Sequence, residues 1–198
     1  ERPVSFSSSR QNILSCLPWG STCAKIFLCR SEIEAVLALS DWIIVATDNH
    51  SSRLAAQRLS LQYFVPLLSV GVNITVSGQQ IEDMSGEVIT ARVGDGLCLQ
   101  CLGRINPLKV ASERHPDPII REELVKRGYV TGMEVKEPAV KTLNAMVATL
   151  AMEALVNEYT ERERHRPILV YEQNGAHCIY EDTTSVEARN KHCFLCQV

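Results

Sequence analysis

The sequence predicts an α/β fold with a mixed sheet: a parallel strand, helix, strand unit, then an antiparallel extension, the whole held by a structural zinc clamp. Three observations carry this reading. Trp42–Thr47 and Pro66–Gly71 are short continuous apolar runs, as in parallel strands buried on both faces, and a helical pattern lies between them. Val72–Val76 and Gly86–Val93 instead alternate like half-exposed strands, with turn-forming Ser77-Gly78 and Ser85-Gly86 between them. Four of the eight cysteines form two Cys-x-x-Cys pairs, Cys98/Cys101 and Cys193/Cys196.

In chain order, Ser31-Glu32-Ile33-Glu34 has the form of a capping box and starts a short helix over 31–40. The strand at 42–47 stops at Asp48-Asn49-His50-Ser51-Ser52-Arg53, and helical spacing returns from Ser51 to Tyr63 with Leu54, Leu59 and Leu61 as its apolar positions. The strand at 66–71 completes a unit of about thirty residues. Beyond Cys101 a polar stretch with Pro107, Pro116 and Pro118 reads as a surface loop, followed by a short helix over 119–127. Pro138 suits the first turn of a long helix whose apolar face is Val140, Leu143, Val147, Leu150, Ala151, Ala154 and Leu155, running to about Tyr159. Glu161–Arg166 reads as a solvated charge cluster, and Pro167–Tyr171 and Cys178–Tyr180 as two late strands. Residues 1–30 fit no part of this scheme and stay unassigned, so the domain reading covers 31–198.

Composition narrows the function classes. A chain of 198 residues with 45% hydrophobic content can bury a sizeable core. With 20 Lys+Arg against 23 Asp+Glu, a formal charge of −3 and no long run of one sign, no nucleic-acid surface is expected. No run of about 18 apolar residues exists, so no membrane span is expected, and ERPVSFSSSRQ carries no signal-peptide core. Paired rather than scattered cysteines in a core-rich chain fit a reducing, cytoplasmic setting.

Two constellations carry chemistry. The Cys-x-x-Cys pairs, brought together, offer four thiolates in the tetrahedral arrangement zinc prefers; about ninety residues apart, they would clamp a midchain hairpin to the C-terminal segment. Two unrelated pairs, or one redox-active pair, are the alternatives. Asp48 sits where an apolar strand ends, and the carboxyl ends of strands in open α/β sheets are where nucleotides and their metal ions bind. A carboxylate there can hold Mg²⁺ and Arg53 can reach a phosphate; alternatively Asp48 or Asn49 only caps the following helix. His50, His115, His165, His177 and His192 show no metal or triad spacing; His192 beside Cys193 is an alternative zinc ligand, with a bystander role the favoured reading.

The order of these residues resembles a known family. Trp42-Ile43-Ile44-Val45-Ala46-Thr47-Asp48-Asn49 with Arg53, Pro66–Gly71, Gly86-Glu87-Val88, Cys98/Cys101-Leu102, and Glu137-Pro138-Ala139-Val140 with Asn144, Ala148 and Glu153 are similar to the ThiF/MoeB/HesA adenylyltransferases, relatives of ubiquitin-activating enzymes. The resemblance implies a partial Rossmann-like ThiF-type domain. It implies ATP- and Mg²⁺-dependent activation of the C-terminal glycine of a ubiquitin-like or sulfur-carrier protein as an acyl adenylate. Asp48 would serve as catalytic, Mg²⁺-ATP-binding residue, with Asn49 and Arg53 as further nucleotide-site residues and Cys98, Cys101, Cys193 and Cys196 as zinc ligands. The segment from about Pro107 to Glu137 would be the crossover loop over the partner's tail, and a homodimer would be expected.

Two departures shape this expectation. The family's opening strand, Gly-x-Gly-x-x-Gly turn and helix are not visible, nor are its further phosphate-contacting Arg and Lys residues, so the chain is expected to be a C-terminal portion or degenerate member that cannot adenylate alone. The rival expectation is a catalytically dead, zinc-stabilised module that binds a ubiquitin-like protein or dimer partner. No cysteine lies between Cys101 and Cys178, which disfavours a thioester step, and Cys178 is expected to be a buried small hydrophobe.

Overall fold

A five-stranded mixed sheet organises the chain, with helices against both of its faces. The structure is a computed structural model and describes residues 40–77, 80–117, 119–120, 123, 140–174 and 177–196. Residues 31–39 of the expected helix over 31–40, the turn at Gly78, Pro138 and the isolated Cys16, Cys23 and Cys29 lie outside the described residues, as does all of 124–139.

The strand, helix, strand unit forms as the apolar runs predict. Strand β1 (Ile43–Val45) leads into helix α1 (His50–Tyr63) and strand β2 (Leu67–Ser77), which pairs parallel to β1 with Ile43 opposite Leu67. The helix starts because Asn49 Oδ1 accepts from the Ser52 amide, and it stops at Phe64, which adopts a left-handed φ of 56°. Strand β3 (Gln80–Ala91) returns antiparallel along the whole length of β2, from Leu67 opposite Ala91 to Ser77 opposite Gln80. The two expected half-strands at 66–71 and 72–76 are thus one continuous strand. Ser85-Gly86 is not a turn but the middle of β3. Gly86 answers a packing need, since a Cβ there would sit 2.2 Å from Val147 Cγ2 on the long helix above.

Helix α2 (Pro107–Arg114) replaces the surface loop expected over this stretch. Asn106 Oδ1 caps the Leu108 and Lys109 amides, and Pro107 takes the first helical position, where its missing N–H costs nothing. Of the expected 119–127 helix, residues 119, 120 and 123 are helical among those described. Helix α3 (Lys141–Thr160) follows, then strands β4 (Ile168–Glu172) and β5 (Cys178–Glu181), which complete the sheet in the order β1-β2-β3-β4-β5 with antiparallel pairing. A short helix α4 (Thr183–Glu187), capped by Asp182 on the Ser185 amide, leads into the second cysteine pair.

Strand alternation divides the core in two. On one face Val45, Leu67, Ile89, Ala91 and Ile168 pack with Leu54 of α1, Val110 of α2 and the cysteine segments. On the other, Leu68, Val88, Leu169 and Tyr171 pack beneath Leu143, Val147 and Ala151 of α3. The expectation that β1 is buried on both faces does not hold for Ile44, which is 55% exposed; α3 packs chiefly over β3 and β2.

The charge cluster at 161–166 is not simply solvated. His165 Nδ1 lies 2.8 Å from Glu158 Oε1, Arg92 Nε donates to Glu158 Oε2 at 2.6 Å, and the Glu158 side chain is only 7% exposed. Arg164 pairs with Glu181 and Arg162 with Glu153. These pairs fasten the α3–β4 connection across the sheet end.

Candidate metal centre

The four paired cysteines converge as their spacing predicts. Their sulfurs all lie within 4.8 Å of one another, and no other group of three or more His, Cys, Asp or Glu among the described residues forms a comparable cluster. Cys98 and Cys193, 95 residues apart in the chain, bring their Sγ atoms to 3.6 Å.

Local backbone geometry makes each pair a knuckle. After β3 the chain turns through Gly94 and Gly96, both with positive φ, into Cys98. There Leu102 N–H donates to Cys98 O, Arg104 N–H to Leu99 O, and Cys101 N–H approaches Cys98 Sγ at 3.5 Å. Gly103 closes the turn with a φ of 73°, a conformation that favours glycine. The second knuckle is fed by α4 and joined to the first by Asn190 N–H on Cys101 O at 3.0 Å and by Arg189 Nε on Gly96 O at 3.2 Å.

The cluster is buried, with Cys98 fully enclosed, Cys193 and Cys101 nearly so and Cys196 half-buried. Burial pushes the Cys98 thiol up, and the neighbouring Cys101 and Cys196 sulfurs add to the shift. Burial likewise pushes Cys196 up to about 11. Burial is the largest influence on Cys193 and opposes its ionisation, but the Leu195 and Cys196 amides together with hydrogen bonds from the Cys98 and Cys196 thiols hold that thiol below its ordinary value. Four thiolates packed this closely are stable only with a cation among them.

Zinc fits the donor set. With Zn–S bonds of about 2.3 Å, tetrahedral sulfurs stand about 3.8 Å apart, close to the 3.6 Å found between Cys98 and Cys193. That distance is far beyond the roughly 2.05 Å of a disulfide, and all four thiols are free. Four protein sulfurs close a tetrahedral site, so Cys98, Cys101, Cys193 and Cys196 form a group that could hold a structural metal such as zinc. His192 is exposed and stands outside it.

Sequence reasoning missed the residues that hold this cluster in place. Gln57 is 1% exposed in the middle of α1, and its Oε1 accepts from the Leu99 N–H at 2.9 Å, fixing the first knuckle to the helix. Three of the four buried residues of α1 are polar, Ser51, Gln57 and Ser60, while Leu59 and Leu61 are only half-buried, so no apolar stripe marked Gln57 as an inward position.

The other predicted constellation behaves differently. Asp48 is exposed just past the carboxyl end of β1. Asn49 is the α1 cap, the alternative that the sequence left open. Arg53 Nε donates to Thr47 O at 3.2 Å, and its guanidinium lies over Gly71. Glu113 of α2, unforeseen from the sequence, places its carboxylate on the first turn of α1 and accepts from the His50 and Ser51 amides at 3.0 and 2.6 Å. Sixty-odd residues separate these partners, so no local pattern could announce the contact.

Cys178 is exposed on the edge strand β5 with its sulfur 4.0 Å from Glu172 Oε2, which corrects the expectation of a buried hydrophobe. β5 pairs with β4 alone among the described strands, so its side chains gain no second neighbour. No described helix is long and apolar enough to cross a membrane. Set against known proteins, the chain matches no family model and no curated protein.

Proposed function

We propose that this chain is a zinc-clamped, ThiF-type α/β domain that serves the ATP-dependent adenylylation of the C-terminal glycine of a ubiquitin-like or sulfur-carrier protein without completing that reaction as an isolated chain. The observation that carries the reading is the position of Asp48: an exposed carboxylate at the carboxyl end of a strand in a parallel β–α–β unit, within the same unit as the cysteine cluster. In that reaction a glycine carboxylate oxygen attacks the α-phosphorus of ATP and pyrophosphate leaves. Asp48 would hold Mg²⁺ at the polyphosphate, and the cytoplasm would be the setting. The cysteine cluster would keep the sheet and the C-terminal segment in register without touching the reacting atoms.

A second reading is favoured by a separate observation. Glu113 occupies the first amides of α1 and Arg53 is held on Thr47 O, so two groups that could face phosphate are engaged within the fold. On that reading the chain is a zinc-stabilised module that binds a ubiquitin-like protein without nucleotide chemistry.

Calorimetric titration of Mg²⁺-ATP into the zinc-loaded chain separates them. The adenylylation reading predicts binding that Asp48→Ala abolishes; because Asp48 is exposed, the variant folds. No binding, or equal binding by the variant, counts against it, and capture of a ubiquitin-like protein in the absence of ATP would then support the module.

A further inference from the structure

We propose that the cavity beneath the C-terminal half of α3 binds a free α-amino acid with an apolar side chain. The N-terminal half of the helix seats Leu143 and Val147, both fully buried, on the sheet. Toward its end the helix leaves a space of about 230 Å³ between itself, β3, β4 and the 161–166 connection. That is below the roughly 300–1,000 Å³ of sites for drug-sized ligands, so the occupant is a small metabolite and not a peptide. The cavity has two chemically distinct ends. One is apolar, walled by Leu150 and Ala154 of α3 and Leu169 of β4. Leu169 lies opposite Val88, and Thr90 stands two residues further along β3, where its N–H donates to Pro167 O at 2.8 Å. Thr90 therefore belongs to the charged end, with Arg162 and Arg166. It is 2% exposed, and its hydroxyl has no hydrogen-bond partner among the described residues. A buried hydroxyl without a partner is costly, and the polar head of a ligand would satisfy it.

The charges around the cavity decide what that head is. Glu158 is already matched within the fold, by Arg92 and His165. The other four charged lining residues form two ion pairs at the mouth, Arg162 with Glu153 at 3.0 Å and Arg166 with Glu163. Surface pairs of this kind are weak enough to open for a ligand. An anion drawn to the two guanidinium groups would leave Glu153 and Glu163 facing its own charge, and a cation drawn to the carboxylates would meet the converse. A zwitterion leaves no charge unmatched. Its carboxylate takes the arginines and the Thr90 hydroxyl, its ammonium takes the glutamates, and its apolar side chain fills the end walled by Leu150, Ala154 and Leu169. The inference is independent of the adenylylation reading.

Calorimetric titration of L-leucine into the zinc-loaded chain tests it, with isocaproate and isoamylamine as probes that lack the ammonium and the carboxylate respectively. The expected result is saturable one-to-one binding of L-leucine, at least roughly tenfold tighter than that of either probe. Arg162→Ala changes an exposed side chain, so the variant folds, and it should weaken binding roughly tenfold. Thr90→Val keeps the shape and removes the hydroxyl, and should weaken binding several-fold. No saturable binding of L-leucine overturns the proposal, as does binding that both variants leave unchanged. Isocaproate or isoamylamine binding as tightly as L-leucine overturns the zwitterionic head and with it the amino-acid assignment.

Discussion

The side-chain oxygen of Gln57 accepts a 2.9 Å hydrogen bond from the Leu99 amide, tying the middle of α1 to the first cysteine knuckle inside the core. Gln57→Leu leaves that buried N–H without a partner, a change that costs about 1–3 kcal/mol. Urea unfolding of the zinc-loaded variant should show the loss, and a chelator should strip its metal faster than from the parent chain. Unchanged stability would mean that the knuckle does not depend on α1.

The metal is expected to stabilise the midchain and the C-terminal cysteine segments together. Removing zinc with a chelator, or replacing Cys193 by Ser, should lower the melting temperature and increase hydrogen exchange both at Leu99–Arg104 and after Asn190. The two segments should open together, because Asn190 N–H on Cys101 O and Arg189 on Gly96 O couple them. Loss of protection in one segment alone would argue against a clamp.

Gly86 and Val147 set how closely α3 lies on β3. Gly86→Ala places a methyl 2.2 Å from Val147 Cγ2 and should cost about 1–3 kcal/mol. Adding Val147→Ala should recover part of that loss, a non-additivity that a double-mutant cycle in urea measures. Strictly additive costs would place the strain elsewhere.

His50 supplies a pH dependence. Its Nδ1 accepts the Asn106 N–H at 3.2 Å, a role that only the neutral ring can fill. Burial first, then the positive charges of Arg53 and Lys109, hold its pKa below the ordinary value despite Glu113 nearby. With the folded pKa below the unfolded one, the contribution is full above the unfolded value of about 6.5 and fades as pH falls through the folded value. An NMR titration should find the His50 midpoint below the ordinary value, and His50→Asn should flatten stability in that window. A midpoint at or above the ordinary value would contradict the contact.

The sequence shows most clearly what depends on short-range pattern. The apolar runs at 42–47 and 66–71 announce β1 and β2, the spacing of Leu143, Val147 and Ala151 announces α3, and the Cys-x-x-Cys pairs announce the metal cluster, because each signal lies within one element or one turn. What escaped is non-local or competes with a stronger signal. Pro107 reads as a loop marker until Asn106 is seen as the cap that makes it a helix start. Ser85-Gly86 reads as a turn because the partner that requires Gly86, Val147, is sixty residues away. Glu113 on α1 and Gln57 on Leu99 are tertiary contacts without a local mark, and they decide which groups around Asp48 are engaged and how the knuckle is held. The exposure of Cys178 follows from its place on an edge strand, a fact of sheet order and not of composition.

Zinc stoichiometry combined with X-ray absorption at the zinc edge tests the central claim most directly. The account predicts one zinc per chain with four sulfur neighbours at about 2.3 Å, and loss of that signature in Cys98→Ser and Cys193→Ser alike. A purified chain that binds no zinc under reducing conditions, or whose zinc carries nitrogen or oxygen ligands in place of these sulfurs, would contradict it.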